Sequence, residues 1–334
     1  MSIRVGINGF GRIGRALLRL ALRDSELEVV QINDLTEPKV LAHLLQFDSV
    51  QGRLPQQVEL TETGFRVAGR EILCSREADP KKISWDKTGC QIILECTGKF
   101  RDRAQCEAHL GGSVQKVILS APGKDLDGTF VMGVNHQNYR PEQDIISNAS
   151  CTTNCLAPVA MVLDQELGID HGYMTTIHSY TNDQKVVDSP HHDLRRARAA
   201  ALNQVPTSTG AARAIAEVLP NLAGKLEGMS IRVPTPNVSL VDLIVDVKKD
   251  TSVSEVNGIF RRAAQELKPQ ILDYNELPLV SSDYNGSTFS AVVDGLSTNV
   301  VGKRLVKVLA WYDNENGFSQ RMLDLTHWIA QSLR

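Results

Sequence analysis

Residues 3–16 read IRVGINGFGRIGRA, and this stretch decides the fold. Alternating apolar residues from Ile3 to Ile7 predict a short strand that ends at Asn8. From Ile13 onward, apolar residues recur every three or four positions, which is typical of one face of a helix. A glycine-rich turn therefore joins a strand directly to a helix.

The turn has the pattern G-x-G-x-x-G, formed by Gly9, Gly11 and Gly14. Gly9 permits the tight turn, Gly11 lets backbone approach a pyrophosphate, and Gly14 allows the helix to pack closely on the strand. Asp34 follows twenty residues after Gly14, at the end of the next apolar run, where a carboxylate can bind ribose hydroxyls. The alternative is a structural turn in an ordinary α/β protein. Strand, helix N-terminus and carboxylate together favour a dinucleotide site.

The pattern of the chain changes near residue 150. Over residues 1–150, short apolar runs alternate with helical patterns, which predicts a Rossmann-type parallel sheet in a dinucleotide-binding domain. Over residues 151–314, longer alternating runs such as 238–247 predict an α+β catalytic domain with a mixed or antiparallel sheet. We expect a closing helix within 315–334 to pack back on the first domain.

Composition excludes several classes of protein. The chain has 334 residues, 42% hydrophobic and 22% charged, which suits two globular cores. It has no apolar run of about 18 residues and no pattern of a signal peptide, so we expect a cytoplasmic protein without a membrane span. A net charge of −3 argues against nucleic acid as the primary partner. The six cysteines lack metal-ligand spacing, so we expect reduced thiols and no metal site.

A candidate nucleophile lies in SNASCTTNC, residues 147–155. Ser150 is a favourable N-cap, which places Cys151 in the first turn of a helix. We expect the helix terminus to lower the pKa of this thiol. His178, at the end of a β-rich run, is a candidate base for it. Each residue alone is more typical of a packed or structural position, but a cysteine, a base and a dinucleotide site together favour aldehyde oxidation.

The chain resembles the phosphorylating glyceraldehyde-3-phosphate dehydrogenases along nearly its full length. The stretches that carry the resemblance are INGFGRIGR, SNASCTTNC, TTIHSYTNDQ, DLRRARAA, PTSTGAA, RVPTPNVS and WYDNENGFS. The resemblance implies a glycolytic, NAD-dependent oxidoreductase and a homotetramer. It implies oxidation and phosphorylation of D-glyceraldehyde 3-phosphate to 1,3-bisphosphoglycerate, through a thiohemiacetal and a thioester on Cys151.

The resemblance also implies roles for individual residues. Cys151 is expected as nucleophile and His178 as its base and acid. Cofactor contacts are expected at Gly9, Gly11, Arg12, Ile13, Gly14, Asp34, Ser120 and Asn314. Contacts to the substrate phosphate are expected at Thr181 and Arg232, and to inorganic phosphate at Ser150, Thr152, Thr209 and Gly210. One of Arg196 and Arg198 is expected to contribute.

Three positions depart from the family pattern, and two alternatives stay open. Ala78 stands where the family has an arginine near the adenine, Ser189 replaces an apolar residue, and Asn316 replaces an aromatic one. One alternative is an erythrose-4-phosphate dehydrogenase. The other is a non-catalytic relative that binds NAD, RNA or a protein, against which the presence of Cys151 and His178 argues.

Overall fold

The structure, a computed structural model, describes residues 2–267 and 270–333. Contacts divide the chain into two compact units. The first unit comprises Met1–Phe130, His136–Ala149 and Ser319–Arg334, and the second comprises Val131–Asn135 and Ser150–Phe318. Within the described ranges, no helix combines the length and the apolar character needed to cross a membrane.

The first unit is built on a nine-stranded sheet. Its strands are β1 (Ile3–Asn8), β2 (Leu27–Asn33), β3 (Val58–Leu60), β4 (Gly64–Val67), β5 (Arg70–Ser75), β6 (Ile92–Glu95), β7 (Lys116–Leu119), β8 (Gly128–Thr129) and β9 (Ile145–Ser147). Its helices include α1 (Arg12–Ala21), α2 (Pro38–Gln46) and α3 (Arg103–Cys106). The strand predicted at the N-terminus and the helix after it are therefore confirmed.

The order of strands in this sheet is β3-β4-β5-β2-β1-β6-β7-β9-β8. Every pairing from β5 to β8 is parallel, so the predicted parallel sheet is confirmed. The strands β3, β4 and β5 pair antiparallel and extend one edge, which the sequence analysis did not predict. Chain order reverses direction between β1 and β6, and ligands of such sheets bind at the carboxyl ends beside this reversal.

The second unit contains an eight-stranded mixed sheet. Its strands are β10 (Ile169–Ser179), β11 (Val205–Ser208), β12 (Leu226–Val233), β13 (Ser239–Val247), β14 (Leu272–Asn275), β15 (Ala291–Asp294), β16 (Asn299–Val301) and β17 (Leu305–Tyr312). The strands β10 and β12 run parallel, whereas β10, β13 and β17 pair antiparallel in turn. The prediction of a mixed sheet is confirmed.

Helices cover one face of this second sheet. They are α4 (Cys151–Leu167), α5 (Ala211–Val218) and α6 (Val253–Glu266). In β13 buried side chains alternate with more exposed ones, with Val241, Leu243 and Val245 buried. This alternation is what a sheet with one covered face requires. The start of α4 lies near the end of β10, and these two ends carry the catalytic candidates.

The last helix, α7 (Asn316–Ala330), lies within the predicted range 315–334. Its first turn belongs to the second unit, and the chain from Ser319 onward belongs to the first. His327 Nε2 lies 2.6 Å from a carboxylate oxygen of Asp24, and Ser332 Oγ lies 3.0 Å from the hydroxyl of Tyr139. Polar contacts thus tie this C-terminal segment to residues of the first unit.

Candidate active site

The glycine-rich turn of the first unit leaves room for a ligand on one side only. Gly9 has a positive φ of 91°, and a Cβ there would lie 2.6 Å from the amide nitrogen of Thr97. A Cβ at Gly14 would collide with the carbonyl oxygen of Gly9. A Cβ at Gly11 would instead meet open space. Two glycines are therefore needed for packing, and the third keeps the backbone accessible at the start of α1.

The carboxylate of Asp34 lies beside this turn. One of its oxygens accepts the N–H of Phe10 at 2.8 Å, and the other accepts the N–H of Thr36 at 2.9 Å. Among the other predicted cofactor residues, Arg12 forms an ion pair with Asp48. An open backbone turn, a helix N-terminus and a fixed carboxylate match the phosphates and ribose hydroxyls of a dinucleotide.

Three further residues surround this end of the sheet. Ile13 lies in the first turn of α1, and Ser120 directly follows β7. Arg76 donates from two guanidinium nitrogens to the carbonyl oxygen of Leu35, at 3.0 and 3.2 Å. Arg76 thus places a positive charge next to Asp34. It lies two positions before Ala78, which stands where the family pattern has an arginine.

In the second unit, Cys151 begins α4. The hydroxyl of Ser150 accepts the N–H of Thr153 at 3.0 Å, which confirms the predicted N-cap. The Sγ of Cys151 lies 3.5 Å from Nε2 of His178 at the end of β10. The structure thus brings the two predicted catalytic residues within contact distance.

The second ring nitrogen of His178, Nδ1, has two polar neighbours. Nδ1 lies 2.7 Å from the carbonyl oxygen of Ser179, and a carbonyl can only accept, so this contact favours a proton on Nδ1. A guanidinium nitrogen of Arg232 donates to the same carbonyl at 3.1 Å and lies 2.8 Å from Nδ1, and this second contact favours a lone pair on Nδ1, because a guanidinium only donates. In the tautomer with the proton on Nδ1, Nε2 presents a lone pair to the thiol of Cys151, as a general base requires.

The electrostatics of this pair differ from the expectation. Burial, and then the charge of Arg232, lower the pKa of His178 to about 3. Burial also raises the pKa of the Cys151 thiol, although Arg232 opposes this rise. The net shift of the Cys151 pKa is therefore upward, and the predicted lowering is wrong. Both shifts favour a thiol beside a neutral imidazole, because the protein has replaced the water that would solvate both charges.

Tyr312, to which the sequence motifs assigned no role, is buried and packs beside the catalytic pair. The hydroxyl of Tyr312 lies 2.8 Å from Oγ1 of Thr152 and 2.9 Å from Oγ1 of Thr176. Its ring packs edge-on against His178, with centroids 5.9 Å apart. Burial raises the pKa of Tyr312 well above its ordinary value, so the phenol is neutral. Its position in the WYDNENGFS stretch was the only signal available in the sequence.

Asn314 is oriented by two serines that the sequence analysis also did not assign. Its amide oxygen accepts the hydroxyls of Ser179 and Ser239, each at 2.9 Å. The amide nitrogen is therefore the atom left to donate to a ligand. A donor at this position suits the carbonyl oxygen of a carboxamide.

The predicted phosphate residues lie at several places in the second unit. Arg232 is close to His178, and its Nε is buried without a hydrogen-bond partner among the described residues. Thr209 and Gly210 stand instead at the start of α5, after β11. Thr181 lies two residues beyond the end of β10 and is partly exposed.

The structure separates the two candidate arginines of the long loop. Arg196 donates to Oγ1 of Thr207 at 3.0 Å and to the carbonyl of Ser208 at 3.3 Å, next to the Thr209–Gly210 turn. Arg196 also forms ion pairs with Asp183 and Asp193, and Arg198 forms one with Asp188 at 2.7 Å. Arg196 is therefore the arginine that lies with the predicted phosphate residues.

Comparison with known proteins agrees with this geometry. Residues 3–103 match the family described as "Glyceraldehyde 3-phosphate dehydrogenase, NAD binding domain", and residues 150–314 match "Glyceraldehyde 3-phosphate dehydrogenase, C-terminal domain". This chain belongs to the glyceraldehyde-3-phosphate dehydrogenase family. The family resemblance and the NAD-dependent enzyme class predicted from the motifs are thereby confirmed.

Relatives of this dehydrogenase chain match it over almost their full length. It is 56% identical to glyceraldehyde-3-phosphate dehydrogenase 1 of Bacillus cereus over 327 residues, which is 98% of each chain. It is 54% identical to glyceraldehyde-3-phosphate dehydrogenase of Geobacillus stearothermophilus over 331 residues, 99% of each chain. The corresponding protein of Pseudomonas aeruginosa is 54% identical over 327 residues, 97% of each chain.

Proposed function

We propose that this protein oxidises and phosphorylates D-glyceraldehyde 3-phosphate to 1,3-bisphosphoglycerate with NAD, using Cys151 as the nucleophile. The observation that carries the proposal is the 3.5 Å approach of Cys151 Sγ to His178 Nε2. A thiol paired with a base on a chain that also carries a dinucleotide turn fits aldehyde oxidation better than hydrolysis, which needs no dinucleotide.

His178 starts the reaction by accepting the thiol proton at Nε2. The sulfur then forms a bond to the aldehyde carbon, and His178 returns its proton to the resulting oxyanion, which yields a thiohemiacetal. NAD, when bound, supplies the acceptor for the hydride of that carbon. His178 removes the hydroxyl proton as the hydride leaves, so a thioester of Cys151 remains. An oxygen of inorganic phosphate attacks the thioester carbon, the bond from that carbon to sulfur breaks, and the acyl phosphate is released. The departing thiolate of Cys151 takes back the proton held by His178.

We infer that the imidazole donates from Nδ1 to the carbonyl of Ser179, which gives the tautomer that this sequence of steps requires. Arg232 donates to the same carbonyl, and its charge lowers the pKa of both the Cys151 thiol and His178, so it stabilises the thiolate but not the protonated base. Its unpartnered Nε can donate to an oxygen of the substrate phosphate. Arg232 thereby links the binding of substrate to the activation of the nucleophile.

We assign dinucleotide binding to residues 1–150 with the closing segment 315–334, and the chemistry to residues 151–314. The residues proposed to hold NAD are the eight named from the sequence, with Asn314 donating its amide nitrogen to the carboxamide. Ser150, Thr152, Thr181, Thr209, Gly210 and Arg232 are proposed to hold the two phosphates, together with Arg196. The hydroxyls of Ser150 and Thr152 already serve Thr153 and Tyr312, so their part in phosphate binding requires shared hydrogen bonds.

We also propose a homotetramer in the cytoplasm. Tyr173 and Ile244 are cross-strand partners on the sheet face that the helices leave uncovered, and both are exposed, at 48% and 38%. In the long loop, Val187 and Leu202 are exposed at 69% and 83%. Apolar groups exposed in this way favour burial against further copies of the chain. Sedimentation equilibrium should give four times the chain mass of 36.7 kDa.

The test is NADH formation with a panel of aldehydes, with and without inorganic phosphate. We expect turnover of glyceraldehyde 3-phosphate that requires phosphate, and we expect arsenate to substitute for phosphate as an oxyanion of the same shape. Equal steady-state rates without either anion would indicate a thioester hydrolysed by water. A higher kcat/KM with erythrose 4-phosphate would support that alternative, and NAD binding without turnover of any aldehyde would support a non-catalytic relative.

A further inference from the structure

A directed chain of hydrogen bonds crosses the carboxyl ends of four neighbouring strands in the first unit. The Ser75 hydroxyl donates to Oδ1 of Asn33 at 2.9 Å, and Nδ2 of Asn33 donates to Oδ1 of Asn8 at 2.9 Å. Nδ2 of Asn8 then donates to Oε2 of Glu95 at 2.6 Å. Each side chain donates toward β6, so the chain ends on a carboxylate that can only accept.

His109 is a second donor to the same carboxylate oxygen of Glu95. The indole N–H of Trp85 donates to Nδ1 of His109 at 3.2 Å, which places the ring proton on Nε2. Nε2 of His109 then donates to Oε2 of Glu95 at 3.3 Å. Trp85, His109 and Glu95 are each at most 3% exposed, so this contact is shielded from solvent.

The other oxygen of Glu95 holds the loop that follows β6. Oε1 accepts the N–H of Thr97 at 2.8 Å and also the Thr97 hydroxyl. The Thr97 hydroxyl in turn accepts the N–H of Lys99 at 3.1 Å. This arrangement presses the Cys96–Thr97 peptide against Gly9, where no side chain would fit.

We propose that Glu95 is a positioning residue of the dinucleotide site, because its carboxylate sets the direction of the hydrogen-bond chain and fixes the Thr97 loop behind the Gly9 turn. Its two oxygens join the ends of β1 and β6, and the chain extends to the end of β2, directly before Asp34. The carboxylate touches no ligand in this proposal, and it acts through the backbone that the cofactor meets. The inference rests on the proposed binding of NAD to this turn.

The test substitutes Glu95→Gln and measures the Kd for NAD by calorimetry, without any aldehyde. A glutamine has a donor in place of one acceptor, so it meets donors from either Thr97 or the Asn8–His109 side whichever way it turns. We expect the Kd, and the KM for NAD, to rise at least about tenfold, while kcat changes less than about threefold. The exposed Glu107→Gln is the matched control and should leave the Kd unchanged.

A second pair of variants keeps the test decisive if Glu95→Gln does not fold. Thr97→Val removes the hydroxyl, and Thr97→Ser retains it. We expect about a threefold to tenfold weaker Kd for the valine variant and a value near wild type for the serine variant. Rescue by serine distinguishes positioning from a general loss of stability. An NAD Kd within twofold of wild type for Thr97→Val, or for a folded Glu95→Gln, contradicts the proposal, as does a serine variant as weak as valine.

Because binding is measured without substrate, the result does not depend on which aldehyde the enzyme oxidises. A chain that binds NAD tightly but oxidises no aldehyde would contradict the proposed function and leave the role of Glu95 intact. If the wild type oxidises the aldehyde but Glu95→Gln and Thr97→Val leave the Kd for NAD unchanged, the proposed function stands and the role of Glu95 is contradicted.

Discussion

The two ends of parallel strands that carry the functional residues differ in how their polar groups are satisfied. At the ends of β5, β2, β1 and β6, one hydrogen-bond chain joins the side chains of Ser75, Asn33, Asn8 and Glu95 in that order. At the ends of β10 and β12, the Nε of Arg232 is buried without a partner, and burial disfavours the charged forms of Cys151 and His178. The polar groups of the first end hydrogen-bond to one another, whereas the second end has a buried donor that a ligand can satisfy. The first arrangement suits a binding site, and the second, with its shifted pKa values, suits a reactive one.

The largest expected effect is a loss of catalysis at the second end without a loss of NAD binding at the first. Cys151→Ser replaces the thiol with a hydroxyl that is far too weakly acidic to form the nucleophile. We expect kcat to fall by at least about a thousandfold, with the Kd for NAD unchanged, because the cysteine takes no part in the first unit. Stopped-flow NADH formation and calorimetry measure the two quantities. A variant that keeps more than about a hundredth of the wild-type kcat would rule out Cys151 as nucleophile.

A second prediction tests the neutral state of the catalytic pair. His178→Asn removes the base, and we expect kcat to fall by about a hundredfold to ten thousandfold. In the wild type, the rate of thiol alkylation should keep rising above pH 8.5, the ordinary pKa region of a thiol, because burial raises the pKa of Cys151. A plateau already reached near pH 6, lost in the asparagine variant, would show instead that a thiolate–imidazolium pair predominates.

Arg232→Gln tests how the charge beside the catalytic pair affects the thiol pKa and substrate binding. Its charge lowers the pKa of the Cys151 thiol, so its removal should shift the alkylation profile to higher pH. We expect the KM for the phosphorylated aldehyde to rise about tenfold or more, because a charged donor to phosphate is lost. Arg232→Lys should retain the position of the profile, and the exposed Arg198→Gln is the control. An unchanged KM in Arg232→Gln would remove this arginine from the substrate site.

The smallest expected effect concerns the organised end. The carboxylate of Asp34 would repel the 2′-phosphate of NADP, so we expect kcat/KM to favour NAD by at least about tenfold. Asp34→Asn should narrow this ratio. Leu35, which follows, offers no group to a phosphate, but Arg76 stands beside it. Equal kcat/KM values for the two cofactors would show that Arg76, or the loop around Ser189, offsets Asp34.

The sequence predicted those features that depend on local chemistry. The glycine turn, the N-cap at Ser150 and the two kinds of sheet follow from residue types at short spacing. The hairpin of β4 and β5 was not predicted, because Ala68 and Gly69 form its turn with φ values of 50° and 76°. Alanine seldom adopts a positive φ, so this turn lacks the usual Asn-Gly or Asp-Gly signal.

The features that depend on tertiary structure could not be read from the chain. The direction of the Cys151 pKa shift depends on how much protein surrounds the thiol, and a helix start alone suggested the opposite sign. Arg196 and Arg198 are near neighbours in one irregular loop, and only the folded loop places one beside Thr207 and the other beside Asp188. Tyr312 was part of a quoted motif, but its bonds to Thr152 and Thr176 join segments far apart in sequence.

The contact of His327 with Asp24 joins residues 303 positions apart, and it has a consequence for the newly made protein. The α7 helix is translated after the second unit, yet most of it belongs to the first unit. A nascent chain on the ribosome therefore carries an incomplete first unit throughout elongation of the second. Synthesis of α7, rather than emergence of the glycine turn, completes that unit, and a premature stop codon after residue 318 would leave it without most of this helix.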